Sequence, residues 1–295
     1  MNTIIKFSFI LFFLSLSFQS FGQENKKITT VNLTNSLTEI IFTEPEYVSS
    51  VVISSGNDGV LMIDNGSKES YQDLIATIKT ICDKELKYII LTHWHFDHTN
   101  GDSLNANDVS LISHPYTRQL LSEDQTLLGM PIKAHTNNIL PQITIDSKTT
   151  IYFNDDTVEI IPLTGGHTGG DLIVYFKNSK VLHIGDLIFS DVFAFYDIDH
   201  RGNVFKAIEN IQKIIDIMPA DTRIIPSHGR EISIADLKDY KNMIIETSNL
   251  VKKEIEKGKS LETLKKENVL KNYSDWAKGF TCEDWIDFVY KSLSK

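Results

Sequence analysis

Positions 93 to 98 read His93-Trp94-His95-Phe96-Asp97-His98, three imidazoles and a carboxylate directly after the apolar run Tyr88-Ile89-Ile90-Leu91. Four polar side chains grouped at the end of such a run are costly to bury unless something satisfies them together. A metal ion does so, and the chain must then fold with this turn at a strand end, open to further ligands. In an extended segment the side chains at i and i+2 point the same way, so His93 and His95 can grip one ion together. Asp97 and His98 fall in the turn that follows and can face a second ion beside the first. Four ligands leave two ions undercoordinated, so more donors must arrive from distant sequence.

Three segments supply candidates. In Leu163-Thr164-Gly165-Gly166-His167-Thr168-Gly169-Gly170-Asp171 the glycines permit positive φ and close backbone approach around one histidine, and His167 would complete the first shell. In Val181-Leu182-His183-Ile184-Gly185-Asp186 a short strand delivers a carboxylate at its C-terminal tip, placed to bridge both ions. In Arg223-Ile224-Ile225-Pro226-Ser227-His228-Gly229 another short strand ends in a turn with one histidine, which would close the second shell. Imidazole and carboxylate donors without cysteine suit zinc at a catalytic rather than a structural site. The remaining histidines read differently: His183 lies within a strand, His114 precedes a helix-like segment, and His135 and His200 fall in loops, so each is expected to be structural or solvated.

The ordered set H-x-H-x-D-H, lone His, Asp, His resembles the signature of the metallo-β-lactamase-fold superfamily, over roughly residues 30 to 230. The resemblance implies an α/β fold, an αββα sandwich, with two Zn2+ per chain. It places His93, His95 and His167 on one zinc, Asp97, His98 and His228 on the other, and Asp186 between them, with Asp97 and Asp186 also orienting a metal-activated hydroxide. Asp64, at the end of the strand Val60 to Ile63, is a candidate to fix an imidazole from behind.

The expected function is that of an exported dinuclear zinc hydrolase acting on a small ester, lactone or amide. A class B-like β-lactamase is the alternative, because His167 to Phe176 is similar to the corresponding region of those enzymes. Against it, Phe189 stands three residues after Asp186, where β-lactamases with Cys at the bridging position carry Lys. Ser190-Asp191-Val192-Phe193 does not match the Gly-Cys-Gly-Arg stretch of glyoxalase II-like thioesterases, and His95 stands where diiron reductases of the fold carry Glu. An iron-dependent oxygenase, or a metal-binding protein of the fold without catalysis, completes the alternatives, since ligand spacing does not identify the metal.

The N-terminus carries Lys6 as its only charge before Gly22, with Phe7 to Phe18 as an apolar core and Ser20-Phe21-Gly22 as a small-residue end. That pattern is a secretory signal peptide over residues 1–22, with a periplasmic or secreted product and no membrane insertion once it is removed. The remainder suits one sizeable metallo-β-lactamase-like domain over residues 23–230 and a helical C-terminal extension over 231–295, packed on that domain. The formal net charge of −10 disfavours nucleic acid and anionic membranes as partners and leaves a small-molecule substrate. Cys82 and Cys282 fit either a disulfide or two buried thiols.

Val48 to Ser54 and Val60 to Ile63 read as a hairpin closed by Asn57-Asp58-Gly59. Further strands are expected at Lys87 to Leu91, Val109 to Ser113, Thr150 to Phe153, Val158 to Leu163, Leu172 to Phe176 and Val181 to Ile184. Tyr71, Leu74, Ile75, Ile78 and Ile81, and again Phe205, Ile208, Ile211, Ile215 and Met218, recur at helical spacing. Phe189, Phe193, Phe195 and Tyr196 suit either a pocket wall or packing beneath a loop, and Thr126 to Pro141 is a candidate lid. Trp276, Phe280, Trp285 and Phe288 are expected to pack the extension onto its own domain.

Overall fold

The computed structural model describes residues 27–43, 48–100 and 109–294. The leader expected at residues 1–22 lies outside them. Strands β1 (Lys27–Asn32), β2 (Leu37–Thr43), β3 (Val48–Gly56) and β4 (Gly59–Ile63) form an antiparallel meander. Helix α1 (Lys68–Ile81) then crosses to β5 (Leu86–Ile90), which runs parallel to β4, and the one-turn α2 (Phe96–Thr99) leads toward β6 (Ser110–Ser113), parallel again. After α3 (Pro115–Leu121) a small separate hairpin, β7 (Gln125–Leu127) and β8 (Met130–Ile132), intervenes before β9 (Ile143–Thr144) completes a seven-stranded sheet.

The second sheet has five strands. In it, β10 (Thr149–Phe153), β11 (Asp156–Pro162), β12 (Leu172–Phe176) and β13 (Val181–His183) pair antiparallel; α4 (Val204–Ile217) crosses over, and β14 (Arg223–Ile225) returns parallel to β13. Helices α5 (Ile234–Glu256), α6 (Leu261–Glu267) and α7 (Cys282–Ser294) follow, with α5 and α7 against α4.

Strand periodicity explains the layering. Leu61 and Ile63 of β4, Ile90 of β5, Val158 and Ile160 of β11, and Val174 and Phe176 of β12 fill one cluster between the sheets. Their neighbours Val60, Met62, Ile173 and Tyr175 point the other way into a cluster shared with Leu74 and Ile78 of α1 and with Ala207, Ile211 and Ile214 of α4. A strand covered on both faces has no polar side, which is why β4 is buried at every position. The result is the expected sandwich of two sheets between helices.

Several details depart from the sequence reading. The sequence pattern does not mark strands β1 and β2, although Leu37, Ile40 and Phe42 of β2 are buried. On α4 the innermost stripe is Val204, Ala207, Ile211 and Ile214, whereas Phe205, Ile208 and Ile215 are only partly buried. The apolar arc of α4 is broad because the sheet and the C-terminal helices cover it from two sides, so spacing alone does not centre it. Cys82 caps the end of α1 and Cys282 opens α7; both are free thiols.

At one end of the sandwich the two sheets are tied together by Asn154, in the left-handed region with φ of 49°. Its Oδ1 accepts from the Asp58 backbone N–H at 3.0 Å, and its Nδ2 donates to Ser54 Oγ and to the Gly59 carbonyl, each at 3.1 Å. Asn154→Ala removes these bonds and a residue that tolerates positive φ, so it should lower stability by about 1–3 kcal/mol. Urea denaturation checks this, and an unchanged midpoint contradicts the tie between the sheets.

Candidate metal centre

At the opposite end the strands deliver their donors. Strand β5 ends at Ile90, one residue before the expectation, and the motif leaves it as a bend rather than as extended strand. His95 then takes the N-cap position of α2, with Asp97 and His98 inside its single turn. Gly165, with φ of 82°, turns the chain toward His167, and the buried Asp171 carboxylate fixes that turn by accepting from the backbone N–H groups of His167 and Thr168 at 2.9 Å each. Gly185, with φ of 55°, lies where a Cβ would stand 3.0 Å from Thr92 and lets Asp186 follow β13 directly into the centre. His228 follows β14.

The structure brings all seven predicted residues together in two groups. One nitrogen or oxygen from each of His93, His95, His167 and Asp186 lies within 4.8 Å of the others, and so do single atoms of Asp97, His98 and His228. Asp186 touches both groups: its Oδ2 is 3.8 Å from His93 Nε2, 3.7 Å from His167 Nε2 and 3.2 Å from His228 Nε2, while Oδ1 is 3.4 Å from His98 Nε2. Asp97 Oδ2 is 3.3 Å from both His98 and His228 Nε2.

Hydrogen bonds behind each ring decide which nitrogen faces inward. His167 Nδ1 donates to the Phe195 carbonyl at 2.7 Å and His228 Nδ1 to the Val48 carbonyl at 2.9 Å. His98 Nδ1 donates to Asp64 Oδ2 at 2.8 Å. Thr92 Oγ1 donates to the same carboxylate at 2.8 Å, leaving its lone pair for His93 Nδ1 at 3.0 Å. Asp64 therefore holds the positioning role expected of it, from a left-handed backbone with φ of 61°.

His95 is turned the other way. Its Nε2 donates to Asp197 Oδ2 at 3.0 Å, so its Nδ1 faces His167 Nε2 at 3.0 Å. With both outer nitrogens committed as donors, two imidazole lone pairs confront each other across that gap unless positive charge lies between them. Nearby, His93 Nε2, His98 Nε2 and Asp186 Oδ1 are buried without a hydrogen bond. Such orphaned atoms are rare in native structures and point to an ion. The donor set fits a divalent metal of the imidazole-and-carboxylate class.

The charges agree. Burial alone would push the Asp186 carboxyl up, but His228, His98 and His93 around it hold it well below the usual carboxylate range. Burial likewise opposes charge on His228, yet Asp186 and Asp97 outweigh it and raise this imidazole to about 10. His98 is raised in the same way by Asp186, Asp97 and Asp64. Burial, reinforced by neighbouring imidazoles, lowers His93 well below its ordinary value and His167 to about 4. The carboxylates thus call for positive charge at His98 and His228, which a metal ion held between them would supply.

Asp197 is the functional residue the sequence reading missed. Besides His95 it accepts from Trp94 Nε1 at 3.2 Å and from His200 Nδ1 at 2.8 Å, and its backbone N–H donates to the His167 carbonyl at 2.9 Å. A lone acid inside the apolar run Phe193 to Ile198 was the available signal. His200, expected as bland, stands behind this carboxylate; His114 caps α3, and His183 is buried in β13.

The centre opens into a pocket of about 490 Å³ lined by Asp97, Asp186 and His228 and by apolar side chains that include Phe189, Phe195 and Phe280. The expected lid is partly the β7–β8 hairpin, whose Leu127 and Leu128 reach this pocket. Asp197→Asn should weaken metal binding about 10–100-fold with unchanged far-ultraviolet circular dichroism. Competition with a chromophoric chelator measures it, and wild-type affinity in the variant would remove Asp197 from the centre.

Comparison with known proteins agrees with this geometry. The model of the metallo-beta-lactamase superfamily matches residues 43–228, a span that includes every donor. A probable metallo-hydrolase of Methanocaldococcus jannaschii is 28% identical over 62% of this chain and 88% of its own length. A probable polyketide biosynthesis zinc-dependent hydrolase of Bacillus subtilis is 24% identical over 52% of this chain and 62% of its own. The metallo-beta-lactamase structure from Pontibacter korlensis shares the fold, with a TM-score of 0.62 at 22% identity over 74% of this chain and 99% of that one. With the ordered donors, the sandwich that carries them and this match across most of the chain, the protein belongs to the metallo-beta-lactamase superfamily and is a metal-dependent hydrolase.

Proposed function

We propose that the protein is an exported dinuclear zinc hydrolase that opens the carbonyl of a small ester, lactone or amide. His93, His95 and His167 hold one ion, Asp97, His98 and His228 the other, and Asp186 lies between them. The observation that carries this reading is the pair of donor groups sharing Asp186 at the floor of an apolar pocket. When bound, two such cations would acidify a water molecule and polarise a substrate carbonyl.

The chain's own residues account for the rest. Asp97 keeps part of its surface exposed to the pocket; burial opposes its charge, but His98 and His228 hold it ionised, and it is placed to accept a hydrogen bond from an attacking water and orient it. Asp64, Asp197 and the Phe195 and Val48 carbonyls lock the imidazole orientations, so little reorganisation is needed during turnover. Phe189 packs its ring 4.5 Å from that of His228 and puts a hydrocarbon face beside the centre, which favours a neutral, apolar substrate. Export rests on the leader-like pattern of residues 1–22, and the zinc reading is supported by the donor chemistry and by the zinc-dependent relative.

β-Lactam hydrolysis is the second reading, and one observation favours it: Lys278 lines the same pocket and makes no ion pair among the described residues, so it can meet a substrate carboxylate. The purified protein should cleave members of a panel of 4-nitrophenyl esters, lactones and thioesters, lose activity to EDTA and regain it with zinc. Asp186→Asn should lower turnover by about 100-fold or more. Cleavage of a chromogenic cephalosporin in preference to the panel would shift the assignment to the second reading, and cleavage that survives EDTA would overturn both.

A further inference from the structure

The pocket wall is completed by a segment beyond the residues matched to the family. Phe280 precedes α7 in the C-terminal extension and stacks on Phe195, with ring centroids 5.4 Å apart and planes 18° from parallel. Phe195 in turn lies 5.6 Å from the His95 ring and 5.9 Å from that of His167, while Phe189 lies 4.5 Å from His228 and 6.4 Å from Phe280. The three phenylalanines therefore form a continuous hydrocarbon surface touching donors of both groups.

The wall is firmly mounted. The Phe193 N–H donates to the Trp276 carbonyl at 2.8 Å, Phe193 stacks on Trp285 at 4.7 Å, and the Tyr240 hydroxyl accepts from the Ala194 N–H at 3.1 Å while donating to the Val192 carbonyl at 2.9 Å. The hairpin tip is also apolar: Leu127 and Leu128 line the pocket, and Leu128 is 59% exposed with φ of 50°. A leucine held in the left-handed region and left in solvent is unfavourable on both counts, and contact with an apolar ligand would relieve the second.

We infer that this wall selects substrates whose acyl group is a bulky hydrocarbon, aromatic or medium-chain aliphatic, with Phe280 as a specificity-determining residue supplied by the C-terminal extension. The inference rests on the hydrolase reading above for its chemistry but not for its binding. The pocket volume of about 490 Å³ lies in the range that encloses a small organic ligand. Truncating an aromatic wall removes apolar contact with a bulky acyl group and leaves an acetyl group little to lose, so the effect falls on selectivity.

The test compares 4-nitrophenyl hexanoate with 4-nitrophenyl acetate in zinc-loaded wild type, Phe280→Ala and Phe280→Leu, alongside binding of the neutral fluorophore N-phenyl-1-naphthylamine. Wild type should prefer hexanoate by kcat/KM. Phe280→Ala should lose about 10-fold or more of that preference, chiefly through KM, and should bind the fluorophore about 10-fold more weakly at unchanged metal content. Phe280→Leu should recover most of both. An unchanged ester ratio or unchanged fluorophore affinity in folded Phe280→Ala overturns the inference. Weakened fluorophore binding without cleavage of either ester upholds the wall and counts against the ester chemistry instead.

Discussion

His95 Nδ1 and His167 Nε2 stand 3.0 Å apart, each on a ring whose other nitrogen is engaged as a donor. Two lone pairs held at that separation repel in a buried site unless a cation lies between them, and the surrounding scaffold keeps the rings from turning away. Asp197 grips one ring and the Phe195 carbonyl the other. The carboxylates add the complementary charge, with Asp186 reaching donors of both groups. The buried donors are thus held in place ready for a metal ion.

The sandwich suits this demand because each sheet delivers donors where its strands end. Strand β4 runs into Asp64, β5 into the His93 to His98 turn, β13 into Asp186 and β14 into His228. Side chains at strand ends are set by the register of a packed sheet, which is stiffer than a free loop. At the far end Asn154 ties the two sheets together.

Much of the centre was legible in the sequence because its chemistry is written in residue type. Histidine and aspartate at strand ends, without cysteine and in a fixed order, identify themselves as donors before any coordinates are known. The supporting residues do not. Asp197 is one acid in an apolar segment, and only the fold brings it beneath His95 and beside His200. Strand periodicity located most of the sheets but passed over β1 and β2. The broad apolar arc of α4 hid which stripe faces inward, since coverage by the C-terminal helices is a tertiary fact. Phe280 both packs against its own domain and lines the pocket, a dual role that sequence spacing does not reveal.

The most direct measurement is anomalous diffraction at the zinc edge from crystals of the zinc-loaded protein. The account predicts two peaks per chain, one among His93, His95 and His167 and one among Asp97, His98 and His228, with Asp186 reaching both. No peak in either donor group, or metal bound only elsewhere on the chain, would contradict it.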